Sequence, residues 1–478
     1  MPNNIVVEYS PSLKYPSTVP FCPSEKYPEY IFDELSAEPN YVYRHIRSLL
    51  LNLNLDKNNF GTEKWNPFGE FILPGNKVVI KPNWVCEHNP ISEDISGLVT
   101  HSSVLRTVID YVLIALKGEG EITIGDAAIQ SADFGILQSK LEVERIIEFF
   151  KGKTEVRISV EDFRKEVKVY GHAGEVLYHK INYDKKCIYV DLGNNSYLAP
   201  IANKIRKFRV TNYDPSKMLE YHSNGRNIYI INKSVLNADA VIMIPKLKTH
   251  RKAGITCCMK NSVGINSSKD ALVHHLKGSF TYGGDAYPSF NFLKWMNENL
   301  YDFREKSHRK SIQKLITTMI GINDGLLKKL KMNTIFEGNW YGNTTLWRMI
   351  LDINNILFYS DKNGEIKEKK QRNVFYIVDS VVGGEKDGPL KPDNKFVGLL
   401  AGGKNPVLID IVISKLIGFD YKKIPSISKA IENNSIGLSK LYIDGLTVCL
   451  NGNNLKFSDL ETVTRFEPSM GWKNHIEA

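Results

Sequence analysis

The sequence is short of cysteine and of long apolar runs, and each shortage narrows what the chain can be. Its 478 residues include six cysteines, Cys22, Cys86, Cys187, Cys257, Cys258 and Cys449. None stands at the C-x-x-C spacing that a zinc site or an iron–sulfur cluster uses, so no cluster is expected from this chain. Reduced thiols in a cytoplasmic protein is the plain reading. No apolar stretch approaches the length of a membrane span, and the first ten residues lack a basic start followed by an apolar core, so neither a span nor a signal peptide is expected. Also absent are the G-x-x-x-x-G-K-[ST] phosphate loop, a G-x-G-x-x-G after a strand, the G-x-S-x-G elbow and H-E-x-x-H. The common nucleotide-binding, hydrolase and metalloprotease classes lose ground accordingly. Charge of one sign is not dominant: Lys plus Arg is 62 and Asp plus Glu is 53, a net +9 spread along the chain. Runs such as residues 367–372 look like solvated surface, which argues against a nucleic-acid partner and leaves room for a small anion.

What is present is an ordinary globular composition, 42% hydrophobic and 24% charged. The length favours two or three domains, or one large core with insertions. Residues 1–70, with Pro2, Pro11, Pro16, Pro20, Pro23 and Pro28 ahead of a helical pattern over 38–53, read as an N-terminal arm that packs on something else. Residues 77–80 and 121–124 are short apolar strands flanking an amphipathic helix over 103–117, a βαβ signature. Residues 238–244 are nearly all apolar, as a central strand covered on both faces would be. Strand patterns return at 374–378, 398–402 and 441–450, and helical ones at 291–330 and 345–358. The expected fold is therefore α/β, a largely parallel sheet flanked by helices, with β-rich and helical insertions. The domain is expected over 71–420, with insertions at about 155–230 and 290–370, and residues 421–478 as a C-terminal segment packing on the core.

Open α/β sheets bind ligands beyond the carboxyl ends of their strands. There this sequence places Lys81-Pro82-Asn83, Gly125-Asp126, Lys246-Leu247-Lys248-Thr249-His250 and Asp379, followed by an expected loop at 383–389. Lys246, Lys248 and His250 alternate, so an extended segment points them to one side; Lys260 and Asn261 follow a turn at Gly254. Desolvated lysines repel one another, so such a cluster implies an anion or carboxylates among them. Thr100 and His101 open the helix over 103–117, whose first N–H groups suit a phosphate or carboxylate, although a simple cap explains them equally well. Asp126 and Asp387 are the carboxylates for a general base or for Mg²⁺ carried with a phosphorylated substrate; a helix cap and a turn are their bland alternatives. Residues 337–348, with Asn343 and Arg348, read as a ligand loop leading into a helix, where Arg348 and Asp352 stand at salt-bridge spacing. His274 and His275 are neighbours that face different ways, which argues against a shared metal.

Taken in order, Lys81-Pro82-Asn83, Thr100-His101, Gly125-Asp126, Pro245-Lys246-Leu247-Lys248-Thr249-His250, Lys260-Asn261 and Asp387-Gly388-Pro389 resemble the motifs of the domain of unknown function 362 family, over about residues 75–420. The resemblance implies no established reaction and carries over no catalytic residue. Members of that family often carry ferredoxin-type iron–sulfur modules, which these cysteines do not supply. The expected function is an enzyme acting on a small anionic substrate, phosphorylated or carboxylated. In this reading Lys248, His250, Asp126 and Asp387 do chemistry, while Lys81, Asn83, Thr100, His101, Lys246, Lys260, Asn261, Asn343 and Arg348 bind. The alternative is a non-catalytic binding or scaffold protein, or a partner of a separate iron–sulfur protein.

Overall fold

The structure, a computed structural model, describes residues 5–170, 176–180, 184–307, 309–330, 335–433, 443 and 445–478. Residues 441, 442 and 444 of the expected C-terminal strand, and short stretches of both expected insertions, lie outside these.

One eleven-stranded sheet organises the described residues. Its strands are β1 (Ile5–Tyr9), β2 (Lys77–Pro82), β3 (Glu121–Asp126), β4 (Arg157–Asp162), β5 (Ala240–Ile244), β6 (Lys246–His250), β7 (Gly254–Thr256), β8 (Asn373–Asp387), β9 (Lys391–Gly403), β10 (Thr447–Leu450) and β11 (Asn453–Lys456). Their spatial order is β11-β10-β1-β9-β8-β5-β2-β3-β4, with β6 beside β8 and β7 beside β6. From β8 to β4 every neighbour is parallel, as the βαβ pattern predicts. The sheet is mixed overall, because β9 runs antiparallel between β8 and β1.

Both faces of the sheet are covered, which explains the nearly unbroken apolar run of β5. Ile242 and Ile244 point to the side holding α1 (Tyr41–Asn52) and α2 (Ser102–Leu116), and Val241 and Met243 to the side holding α5 (Leu346–Tyr359) and α6 (Pro406–Leu416). Two further helices, α3 (Phe292–Lys306) and α4 (Lys310–Lys329), form a hairpin beside this core. The N-terminal arm belongs to the same body: β1 sits between β9 and β10, and the arm's Pro20 carbonyl and Tyr30 hydroxyl accept from the buried Arg106 of α2.

Two stretches differ from their sequence pattern. Residues 383–387, expected as a ligand loop, continue β8 in antiparallel register with β9. Gly383 and Gly384 serve close packing there rather than a turn, since a Cβ would come within 2.7 Å of the Phe466 ring at Gly383 and 2.6 Å of the Gly97 carbonyl at Gly384. Residues 343–345 close the start of α5: the Asn343 side chain accepts from the N–H groups of Thr345 and Leu346, and Asp285 accepts from Thr344 and Thr345. Arg348 spans to the Tyr197 carbonyl and lies over the Trp347 ring, while Asp352 accepts from Ser196, Tyr197 and Tyr229.

Candidate functional site

The carboxyl ends of β2, β3 and β6 open into a cavity of about 320 Å³, walled also by the segment after β7 and by Thr211, Asn212, Pro389 and Leu390. Lys81, Lys168, Lys248, Arg251, Lys252, Lys260 and Lys269 line it, against one carboxylate, Asp126. That carboxylate is already engaged. The Lys81 ammonium sits 2.8 Å from Asp126 Oδ1 and donates to the Pro82 carbonyl at 2.8 Å and to Asn261 Oδ1 at 3.0 Å. Asp126 Oδ2 accepts the Trp84 N–H at 2.7 Å. Gly264 makes room for this pair: a Cβ there would stand 1.9 Å from Asp126 Oδ1 and 2.7 Å from Lys81 Nζ.

Lys168 pairs with Glu305 at 2.9 Å, outside the cavity lining, whereas the partners of Lys248, Lys252 and Lys269 are neutral. Lys248 donates to the Leu98 carbonyl, Lys252 to Thr211 Oγ1 and Lys269 to the Ala127 carbonyl. Among the described residues, none hydrogen-bonds the Lys260 ammonium, which is part-exposed to the cavity. Burial, the largest cause, together with the other lysines nearby pushes Lys248 and Lys260 down to about 7. Burial likewise lowers Lys252 and Lys269 to about 8.

Two imidazoles complete the wall with opposite polarity. His250 Nδ1 accepts the N–H groups of Lys252 at 3.0 Å and Ala253 at 3.1 Å, so its proton resides on Nε2. His274 Nδ1 stands 2.7 Å from the Leu272 carbonyl, which can only accept, so its free lone pair is on Nε2. Burial, then the surrounding cations, hold both rings well below the ordinary histidine pKa, hence neutral. Asn83 Oδ1, Gln130 Oε1 and Thr256 Oγ1 line the same cavity, buried and without a protein partner. The wall thus presents cations, a neutral donor and neutral acceptors to whatever enters.

Of the sequence-derived site residues, Lys81, Asn83, Asp126, Lys248, His250, Lys260 and Asn261 line this cavity, and Thr100, His101, Lys246, Asn343, Arg348 and Asp387 do not. Lys246 turns into a closed cluster, donating to Asp379 Oδ2 at 3.0 Å and to the Tyr15 hydroxyl at 2.7 Å, while Tyr15 donates to Asp379 Oδ1 at 2.5 Å. His101 stacks on Tyr15 at 3.9 Å, and its backbone N–H donates to Asp379 Oδ2. The start of α2, expected to take an anion, therefore takes Asp379. Thr100 donates to the Ile244 carbonyl and accepts from Asn83 N–H, which secures the strand ends. Asn343 donates to the His274 carbonyl from behind the wall. Asp387 is exposed at the end of β8, so it does not join Asp126 as a metal-binding pair. Residues that the sequence reading passed over, Lys168, Lys252, Lys269 and His274, do line the cavity. Lys252 continues the alternation of Lys246, Lys248 and His250, a signal that was available.

Cys257, Cys258 and Asp410 lie together but away from the cavity, their ligand atoms within 4.8 Å of one another. Asp410 accepts the N–H groups of Cys258 and Met259, and burial pushes the Cys257 thiol up to about 11, so this cluster reads as a helix cap with inert thiols.

Residues 189–415 match the domain of unknown function 362 (DUF362). The match takes in β6, Lys260, Lys269 and the Gly388-Pro389 turn, while Lys81 and Asp126 stand before it and are brought to it by β2 and β3. No curated protein matches the chain. Among solved structures, a structural-genomics protein from Thermotoga maritima is similar at 11% identity and a TM-score of 0.34, over 75% of this chain and 55% of that one. The chain thus spans about half the length of that protein.

Proposed function

We propose that this chain, whose residues 189–415 match the DUF362 family model, is an enzyme acting on a small phosphorylated or carboxylated substrate held in the cavity at the strand ends. The observation that carries this reading is Lys260: a part-exposed amine with no acceptor among the described residues, crowded by Lys252 and Lys269 beside Asp126, which Lys81 already holds. Crowding amines into one partly dehydrated cavity is costly unless an anion supplies the missing charge. The volume suits a metabolite rather than a polymer. Lys248 and Lys260, pushed to about 7, can carry or release a proton near neutrality. His250 can donate from Nε2 to a substrate oxygen, and His274 can accept at Nε2. Mg²⁺, if it enters, would arrive with the substrate's own oxygens, since the wall offers only Asp126.

Thermal-shift titration with inorganic phosphate, pyrophosphate and citrate against chloride tests the reading. At least one of these anions should raise the midpoint of the wild-type chain, and Lys260→Ala should abolish that rise without lowering the ligand-free midpoint, as expected for a side chain that the fold leaves unneutralised. No anion-dependent rise, or one that survives in Lys260→Ala, would remove the basis of the proposal. A rise without turnover of any phosphorylated or carboxylated metabolite would instead make the cavity a binding site.

A further inference from the structure

The α3–α4 hairpin gathers exposed large apolar side chains on two neighbouring helices. α4 packs through Gln313, Ile316, Ile320 and Asn323, with Asn323 donating to Asn297 Oδ1 of α3. Roughly 100° around the same helix, Leu315, Met319, Ile322 and Leu326 follow at spacings of four, three and four. They are 62%, 44%, 63% and 45% exposed. On α3, Phe292, Trp295 and Phe303 are 59%, 46% and 58% exposed, on the side away from the buried Lys294, Asn297 and Glu298. Single exposed apolar residues are ordinary; two helical stripes of them on one hairpin mark a surface that meets something.

Charge says what kind of surface. The remaining sector of α4 carries Lys314, Lys328 and Lys329, and Lys306 and Arg309 flank the turn between the helices. The hairpin's carboxylates are engaged: Asp302 with Arg209 and Lys277, Glu305 with Lys168 and Arg304, and Asp324 with Asn297. A second copy of the chain would bring lysines against lysines, whereas an anionic bilayer offers the opposite sign together with an apolar interior.

We propose that the α3–α4 hairpin docks on an anionic lipid surface, its apolar stripes entering the headgroup–acyl boundary and its lysines meeting the phosphates. In-plane binding accords with the absence, among the described residues, of any helix long and apolar enough to cross a membrane. The hairpin also reaches the cavity wall, through Glu305 on Lys168 and Arg304 on Asn212. Docking would therefore hold the cavity rim close to the lipid headgroups.

Co-sedimentation of the full chain with vesicles of phosphatidylcholine, alone or mixed with phosphatidylglycerol, tests this. The chain should partition onto the mixed vesicles and not the neutral ones. Ile322→Glu combined with Leu326→Glu should weaken partition about tenfold or more without moving the thermal midpoint, because both side chains are exposed. Lys314→Glu combined with Lys328→Glu should weaken it in the same direction and remove its salt dependence. Failure to bind mixed vesicles, or binding indifferent to both double variants, overturns the proposal. A dimer in light scattering that Ile322→Glu dissociates, with vesicles left unbound, overturns it in favour of a second copy.

Discussion

Lys246 and Lys260 are both amines gathered at the carboxyl edge of the sheet, and the protein treats them in opposite ways. Lys246 is sealed among Asp379, Tyr15 and His101, with an acceptor for its charge and a ring stacked beside it. Burial lowers its pKa while Asp379 pulls the other way, and the result is a closed polar network. Lys260 faces a cavity with no acceptor of its own, and its neighbours Lys269, Lys81 and Lys252 add to the effect of burial. The difference is the supply of carboxylate. Asp379 leaves β8 beside Lys246, whereas the cavity holds Asp126 alone, which Lys81 uses. A lysine that the fold neutralises is architecture; one that it leaves unneutralised is waiting for charge from outside.

The sharpest way to break this comparison is to remove Asp379. Asp379→Ala would leave the fully buried Lys246 without its counterion, and breaking a buried pair by removing one partner costs about 3–5 kcal/mol. Urea unfolding should show a loss of that order, whereas Lys260→Ala should cost almost nothing. Equal losses for the two variants would mean that the closed cluster and the cavity do not differ in kind.

A middle case probes the boundary between them. Gly264→Ala would push a methyl group into Asp126 and Lys81, where the cavity wall is itself an ion pair. Overpacking of this sort costs about 2 kcal/mol. It should also weaken anion binding, since Asp126 would shift toward the amines it now leaves unpaired. Wild-type stability in Gly264→Ala would show that the pair tolerates displacement and does not define the wall.

Much of this was legible in the sequence for one reason: strands of a parallel sheet end on a common edge, so Lys81, Asp126, Lys248 and His250 could be grouped from their positions after apolar runs. The same reasoning put Lys246, Thr100 and His101 with them and could not see otherwise, because Lys246 and His101 are held by Tyr15 and Asp379, which lie 231 and 133 residues from Lys246, and Thr100 by the Ile244 carbonyl. Asp387 was drawn in by a Gly-rich stretch that looked like a loop and is a strand packed too closely for side chains. Asn343 and Arg348 resembled a ligand loop because caps and ligand loops use the same residue types. The His274-His275 pair was set aside because neighbours diverge. They do diverge, and that is how His274 alone comes to line the cavity. The antiparallel half of the sheet was illegible for a related reason, since β1 enters it from the far end of the chain.

Proton linkage gives the smallest and most specific effect. In the unfolded chain a lysine holds its proton to about pH 10.4, whereas Lys248 and Lys260 release theirs near 7 and Lys252 and Lys269 near 8. Between these limits the unfolded state binds more protons, so these four groups make ligand-free stability rise with pH from about 7 toward 10. Below pH 7 all four are charged in both states and the penalty is complete. An anion binds the charged form, so its stabilising increment should run the other way, greatest near pH 6 to 7 and falling by up to about tenfold in affinity per pH unit for each proton taken up. Thermal shifts at fixed phosphate across pH 6 to 9 would show the two trends crossing. In Asp379→Ala, Lys246 should join the titrating set and steepen the rise of ligand-free stability with pH; an unchanged slope there would mean that Asp379 does not keep Lys246 charged.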